Sequence, residues 1–255
     1  GNPITGNTLK IIIEFFHDSS EEYLVDNIRL TDGNYWLGDE TDAITNTEKW
    51  SYKELPTATS NAKIASGAHL KLSNLDTTIK NVTVNGELTI EKDASLTTTA
   101  DFKNSGTVNL NSDDNEFSSL LVEGTATGSI SYNRWVNNYE AGTNGNDVIS
   151  SPVTGESWMS VMSNNGATIY NNGTLWSFTP YNNGYANWGD FYTSSTSVDI
   201  ITGKGYRVAS PAGNSQTVKF TGELVNGAVT VQLSRIQTRW NVVGNPYATY
   251  IDLAQ

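Results

Sequence analysis

Cysteine is absent from this chain, histidine occurs only at His17 and His69, and proline at only six positions. The first absence excludes a disulfide framework, a thiolate nucleophile and any Cys-based metal site. No Gly-x-Ser-x-Gly elbow, phosphate-binding loop or His-Glu-x-x-His helix occurs, so the common catalytic constellations are missing as well. Basic side chains are scarce too: 15 Lys and Arg face 27 Asp and Glu, a net charge of −12. Such a surface repels phosphate backbones and anionic headgroups alike, so neither nucleic acid nor a membrane surface is an expected partner. No apolar run approaches the roughly 20 residues of a membrane-spanning helix. The longest, Leu9 to Phe16, is broken by Lys10 and Glu14. The chain opens on Gly1-Asn2-Pro3 with no visible signal peptide, and is expected to be a piece of a longer, processed protein.

What the chain has in abundance is Asn, Thr, Ser and Gly, with aromatics at 10%, a mixture suited to short strands joined by tight turns. Gly67, Gly86, Gly106 and Gly124 recur at intervals of 19, 20 and 18 residues, each inside a phrase of an apolar residue, a turn, Gly, then apolar-x-apolar. The clearest copies are Ile64 to Leu72, Val84 to Ile90 and Phe102 to Leu110; the weakest is Val122 to Ala126. A near-constant period of this size with strand-type alternation predicts stacked β-solenoid coils from about Ala62 to Ser131. The inward positions are then Ile64, Leu70, Leu72, Ile79, Val82, Val84, Leu88, Ile90, Leu96, Phe102, Val108, Leu110, Leu120 and Val122. Asn111 to Glu116 interrupts the alternation and is expected to bulge from a corner. An open solenoid end exposes a full coil of unpaired backbone, so Thr31 to Asn61, anchored by Trp36, Trp50 and Pro56, is expected to cap it.

Before the cap, Leu9–Phe16 and Tyr23–Leu30 read as a β-hairpin across a polar turn. After the coils the composition changes. Strand-like segments follow at 129–136, 147–151, 174–178, 205–209, 217–220 and 228–233, divided by turns such as Asn182-Asn183-Gly184 and Val225-Asn226-Gly227. The expected fold is all-β: a hairpin over 1–31, ending an upstream jelly-roll-like module; a capping segment plus short parallel β-solenoid (β-helix) over 32–131; and an antiparallel β-sandwich over 132–255.

One group of phrases in fixed order carries a resemblance. These are Tyr35-Trp36-Leu37-Gly38, Trp50, Leu55-Pro56-Thr57-Ala58, the glycine-marked coils, Gly124 to Arg134, Ile149 to Val153, Thr202 to Tyr206 and Trp240 to Tyr247. In this order they resemble large secreted and cell-surface proteins of the Bacteroidota, cargo of the type IX secretion system. The resemblance implies export to the extracellular side or the bacterial cell surface, with the secretion machinery engaging a C-terminal sorting domain that is missing from this sequence. Val25 to Leu30 resembles the closing strand of jelly-roll carbohydrate-binding modules, and Asp76-Thr77-Thr78 is similar to a short O-glycosylation acceptor.

Three kinds of site are weighed on the residues themselves. Hydrolysis needs a positioned base or paired carboxylates, and neither the two histidines nor Asp26, Glu87, Glu91 and Asp93 form a recognisable pair, so no catalytic residue is assigned and the chain is not expected to be an enzyme. Aromatic residues crowd the stretch from Trp176 to Tyr192 among Asn and Gly, where flat rings beside amides suit stacking on sugars. Tyr181, Tyr185, Trp188 and Tyr192 are the glycan candidates, while Trp176 and Phe178 alternate with polar residues and are expected to be buried. Asp113, Asp114 and Glu116, and separately Asp32, Asp39 and Asp42, offer hard oxygen ligands to a structural calcium, the one cofactor considered. The expected function is that of a non-catalytic stalk and adhesion module, its partners surface glycans or other cell-surface proteins. The alternative is a carbohydrate-binding accessory region of a secreted polysaccharide-degrading enzyme.

Overall fold

Twelve short strands wind three times around a dry column and begin a fourth turn. The structure, a computed structural model, describes residues 33–140, 146–213, 216–235 and 240–252, so the hairpin expected over 1–31, with His17 and Asp26, lies outside the described residues. After β1 (Asn34–Trp36), the first coil consists of β2 (Asn61–Ile64), β3 (His69–Leu72) and β4 (Asp76–Ile79). The second is β5 (Asn81–Val84), β6 (Glu87–Ile90) and β7 (Ser95–Thr98), the third β8 (Phe102–Asn104), β9 (Thr107–Leu110) and β10 (Ser119–Val122). The last turn has β11 (Ala126–Thr127) and β12 (Ser129–Val136). Equivalent strands of successive coils pair in parallel, giving three faces: β1-β2-β5-β8-β11, β3-β6-β9-β12 and β4-β7-β10.

The register places like on like. Leu70 lies beside Leu88, which lies beside Val108, and Leu72, Ile90, Leu110 and Tyr132 continue the next row. All fourteen residues expected to point inward are buried, Val84, Leu88, Ile90 and Leu110 with no exposure at all. Each such side chain contributes about 1.5–3 kcal/mol by leaving water, and this row-by-row burial holds the coils together. Outside, polar side chains form ladders at the same spacing. Asn81 donates to Asn61 at 2.8 Å; Asn133 donates to Asn111 at 3.0 Å, and Asn111 donates to Glu91 at 3.1 Å.

Glycine marks one corner because the backbone passes itself closely there. A Cβ at Gly106 would strike the carbonyl oxygen of Gly86, and one at Gly86 would strike those of Ala65 and Ala68. The next residue in this stack is Gly128, whose Cβ would meet Asn104 O, and not Gly124. Gly124 lies one corner earlier, its N–H donating to Ala100 O at 3.1 Å. The expected fourth repeat is therefore displaced by four residues. The cause is the loop at Asn111–Glu116, which bulges as anticipated between β9 and β10 and lengthens the third coil.

The N-terminal end is closed by two indoles. Trp36 and Trp50 are fully buried and meet edge to face, centroids 5.2 Å apart. Each is anchored by its ring nitrogen, Trp36 to His69 O at 2.9 Å and Trp50 to Ile44 O at 2.8 Å. At the other end the chain leaves the helical path inside β12. That strand pairs in parallel with β9 on one side and antiparallel, over its full length, with the later strand Gln216–Leu224 on the other. The expected boundary at 131/132 thus falls within a strand shared by both halves of one six-stranded sheet.

Beyond it come β13 (Asp147–Ile149), β14 (Val153–Thr154), helix α1 (Trp158–Asn164), β15 (Phe178–Asn182), β16 (Asn187–Trp188), β17 (Tyr206–Val208) and β18 (Gln216–Leu224). A separate antiparallel sheet has the order β13-β17-β15-β16. The described residues from 228 to 233, expected as a strand, join no ladder; Val229 and Val231 instead lie against Gly203. Helix α1 stands where no helix was expected. Ser157 caps it by accepting from Ser160 N, Trp158 and Val161 form its buried face, and the buried Asn165 carboxamide exchanges two hydrogen bonds with the Lys219 backbone of β18.

Candidate functional site

Strand β15 and its neighbours place the aromatic cluster. Phe178 points inward and is fully buried; Trp176, two positions before the strand begins, is half-buried. The centre of the cluster is Trp158 on α1, a residue the sequence reading does not single out. Its ring lies 5.0 Å from Phe178, 5.2 Å from Tyr192 and 6.0 Å from Trp176, and its Nε1 donates to Thr193 O at 2.8 Å. Tyr206 completes the group beside Phe178 at 5.0 Å.

The four glycan candidates fall into different environments. Tyr192 packs against both Trp158 and Phe178, and burial pushes its phenol up to about 12. Tyr181 is buried, with Trp188 standing edge-on to it at 5.1 Å. Tyr185 alone projects, 64% exposed, from the turn between β15 and β16. These rings form no common flat platform. A cleft of about 300 Å³ does open beside the turn, lined by Tyr181, Asn182, Asn183, Lys204, Thr230 and Gln232 among others. Its amides are largely committed to the fold: Asn183 Oδ1 accepts from Val242 N at 2.9 Å, and Asn182 Oδ1 from Gly184 N at 3.0 Å.

The acidic loop is built around a cation already present in the chain. Lys92 Nζ lies 2.5 Å from Asp113 and 3.5 Å from Glu116. The Lys92 ammonium and the backbone N–H groups of Asn115 and Glu116 hold the Asp113 carboxyl down to about 2. Asp114 turns to the side chain of Asn115, accepting at 2.7 Å. Among the described residues no group of three or more His, Cys, Asp or Glu side chains is arranged to hold a metal ion. At the other acidic stretch Asp42 pairs with Lys49 at 3.0 Å and Asp39 accepts from Thr41; Asp32 lies outside the described residues.

The remaining titratable candidates serve the solenoid. His69 Nε2 meets Thr89 Oγ1 at 2.9 Å along the coil-to-coil ladder, and Glu87 accepts from Asn109 at 3.1 Å. Asp93 accepts from Asn74 N at 3.0 Å. Among the described residues the most perturbed carboxyl is Glu156, just before α1, which sequence reasoning passes over. It is 3% exposed, one oxygen accepting from Thr221 N at 3.1 Å and the other unpartnered, and burial raises it to about 7. Among the described residues no second carboxyl or histidine is bonded to it, so there it is a lone buried acid.

No curated protein and no solved structure matches the chain. Residues 35–255, which run from the solenoid cap through the antiparallel half, match the family described as Domain of unknown function (DUF8693), and the chain belongs to that family.

Proposed function

We propose that this chain is a non-catalytic structural module of a secreted bacterial protein, a stiff spacer that carries an adhesive surface on the cell exterior. The observation that supports it is the in-register column from Ala62 to Tyr132, closed at one end by Trp36 and Trp50 and continued at the other into an antiparallel sheet. Each coil advances the chain by about 4.8 Å, the separation of hydrogen-bonded strands, so the coils act as a short rigid post. The resemblance to type IX secretion cargo supports export and an extracellular or surface location, with surface glycans or other cell-surface proteins as partners.

Beads coated with the protein are expected to stay on glycan-coated glass or on cells under shear that removes albumin-coated beads. Equal removal of both, or turnover of a polysaccharide by the purified chain, refutes the reading. The second reading, a carbohydrate-binding accessory region, is favoured by the concentration of rings and carboxamides between Tyr170 and Tyr192.

A further inference from the structure

A shallow cleft of about 130 Å³ lies on the outer side of the aromatic cluster, lined by Tyr170, Asn172, Leu175, Trp176, Ser177 and Phe191. Leu175 and Phe191 are 39% and 38% exposed, and Trp176 is half-buried, so ring and aliphatic surface faces water here. The rings are held from behind. Trp176 stands edge-on to Trp158 at 6.0 Å, and Tyr170 stacks on Tyr139 at 4.2 Å.

The backbone under them is equally fixed. Asn171 and Trp176 form an antiparallel bridge, Ser177 N donates to Tyr170 O at 2.7 Å, and Trp176 N to Tyr192 O at 2.9 Å. Asn172 Oδ1 accepts from Thr174 N at 3.1 Å and Leu175 N at 2.9 Å, which orients the carboxamide and leaves the Nδ2 of this exposed residue as its free donor among the described residues. None of the lining residues is charged. A preorganised apolar floor with an amide donor at its rim and no charge fits a neutral ligand that is flat and apolar on one face and hydroxylated at its edge.

We propose that this cleft binds a neutral hexopyranose unit of a β-linked glycan, its C–H face on Trp176 and Phe191 and an edge hydroxyl accepting from Asn172 Nδ2. This rests on the carbohydrate-binding reading, and it moves the contact from the turn carrying Tyr185 and Trp188 to the Tyr170–Phe191 cleft.

The test is a calorimetric and tryptophan-fluorescence titration of the full chain with cellohexaose, laminarihexaose and chitohexaose. Saturable binding of at least one is expected, with a shift in tryptophan emission. Trp176→Ala and Phe191→Ala should each weaken it about tenfold, the scale of one lost ring contact. Phe191→Ala, a change at a surface ring, should keep the thermal transition of the parent and so separate lost contact from lost fold. Binding that survives both changes overturns the cleft while leaving the carbohydrate reading standing, all the more so if Tyr185→Ala abolishes it. Binding of neither the three sugars nor polygalacturonate overturns both, and binding of polygalacturonate alone overturns the neutral ligand while leaving the carbohydrate reading standing.

Discussion

Leu88 occupies the middle of the column, with Leu70 beside it in one coil, Val108 in the other, and no surface in contact with water. Replacing it with alanine removes three carbons that have neighbours on every side. Their transfer to water costs about 2.4 kcal/mol at about 0.8 kcal/mol per methylene. The cavity left in a column pinned by backbone ladders on both sides adds to that, bringing the expected loss to about 3–5 kcal/mol. A domain stable by about 5–15 kcal/mol loses a large share of its stability in one substitution. The control is Lys103→Ala on the exposed face of β8, which should change stability by less than about 0.5 kcal/mol. Urea unfolding followed by tryptophan fluorescence reads both, as a drop in midpoint at unchanged slope. If Leu88→Ala moves the midpoint no further than Lys103→Ala, Leu88 does not line a dry column and the solenoid reasoning fails.

Gly106→Ala should destabilise by about 1–3 kcal/mol although it adds one methyl group at an exposed position, because that methyl meets the Gly86 carbonyl; an unchanged melting temperature contradicts the glycine stack. Glu156 gives a pH dependence of definite sign. Its folded value lies above the ordinary 4.5, so the stability present below that pH is lost as pH rises through about 7, by roughly 3 kcal/mol in full. Glu156→Gln should flatten the stability profile between these values, and a slope that survives the substitution assigns it to another group. For Asp113, carboxyl titration by NMR should give a value near 2 that climbs when Lys92 is replaced by alanine; a value indifferent to Lys92 would mean that the pair does not form.

The solenoid was legible because its physics is local and repeated. Alternation set by the two-residue period of a strand names the inward residues, and each coil repeats the signal, so all fourteen positions from Ile64 to Val122 are buried as the pattern requires. The same logic slipped at Gly124, since six residues of loop carried the true corner to Gly128 and spacing alone does not tell a loop from a coil. Helix α1 was harder. Its seven residues hold one turn of amphipathic spacing, Trp158 to Val161, after the Ser157 cap, and two turns are too few for a period to stand out.

That omission carried into the site. With Trp158 assigned to no element, Tyr181, Tyr185, Trp188 and Tyr192 had no visible partner and looked available for a ligand. In the fold Tyr192 and Tyr181 turn inward to meet Trp158 and Trp188. The acidic loop misled in a similar way. Asp113 and Glu116 look like ligands in search of a cation until the coil register brings Lys92 between them. The contacts of Trp158 with Tyr192 and of Lys92 with Asp113 and Glu116 join residues more than twenty apart, and no short window of sequence contains them.

The account stands on the parallel coiling of residues 61–132, and backbone NMR reads it directly. A protonated sample labelled with 15N and 13C should show amide-to-Hα contacts between Ala62 and Val82, Val82 and Phe102, Leu70 and Leu88, and Leu88 and Val108, in ascending order along both strands of each pair. Contacts running in opposite order along neighbouring strands, the signature of hairpins, would contradict the solenoid and with it the spacer built on it.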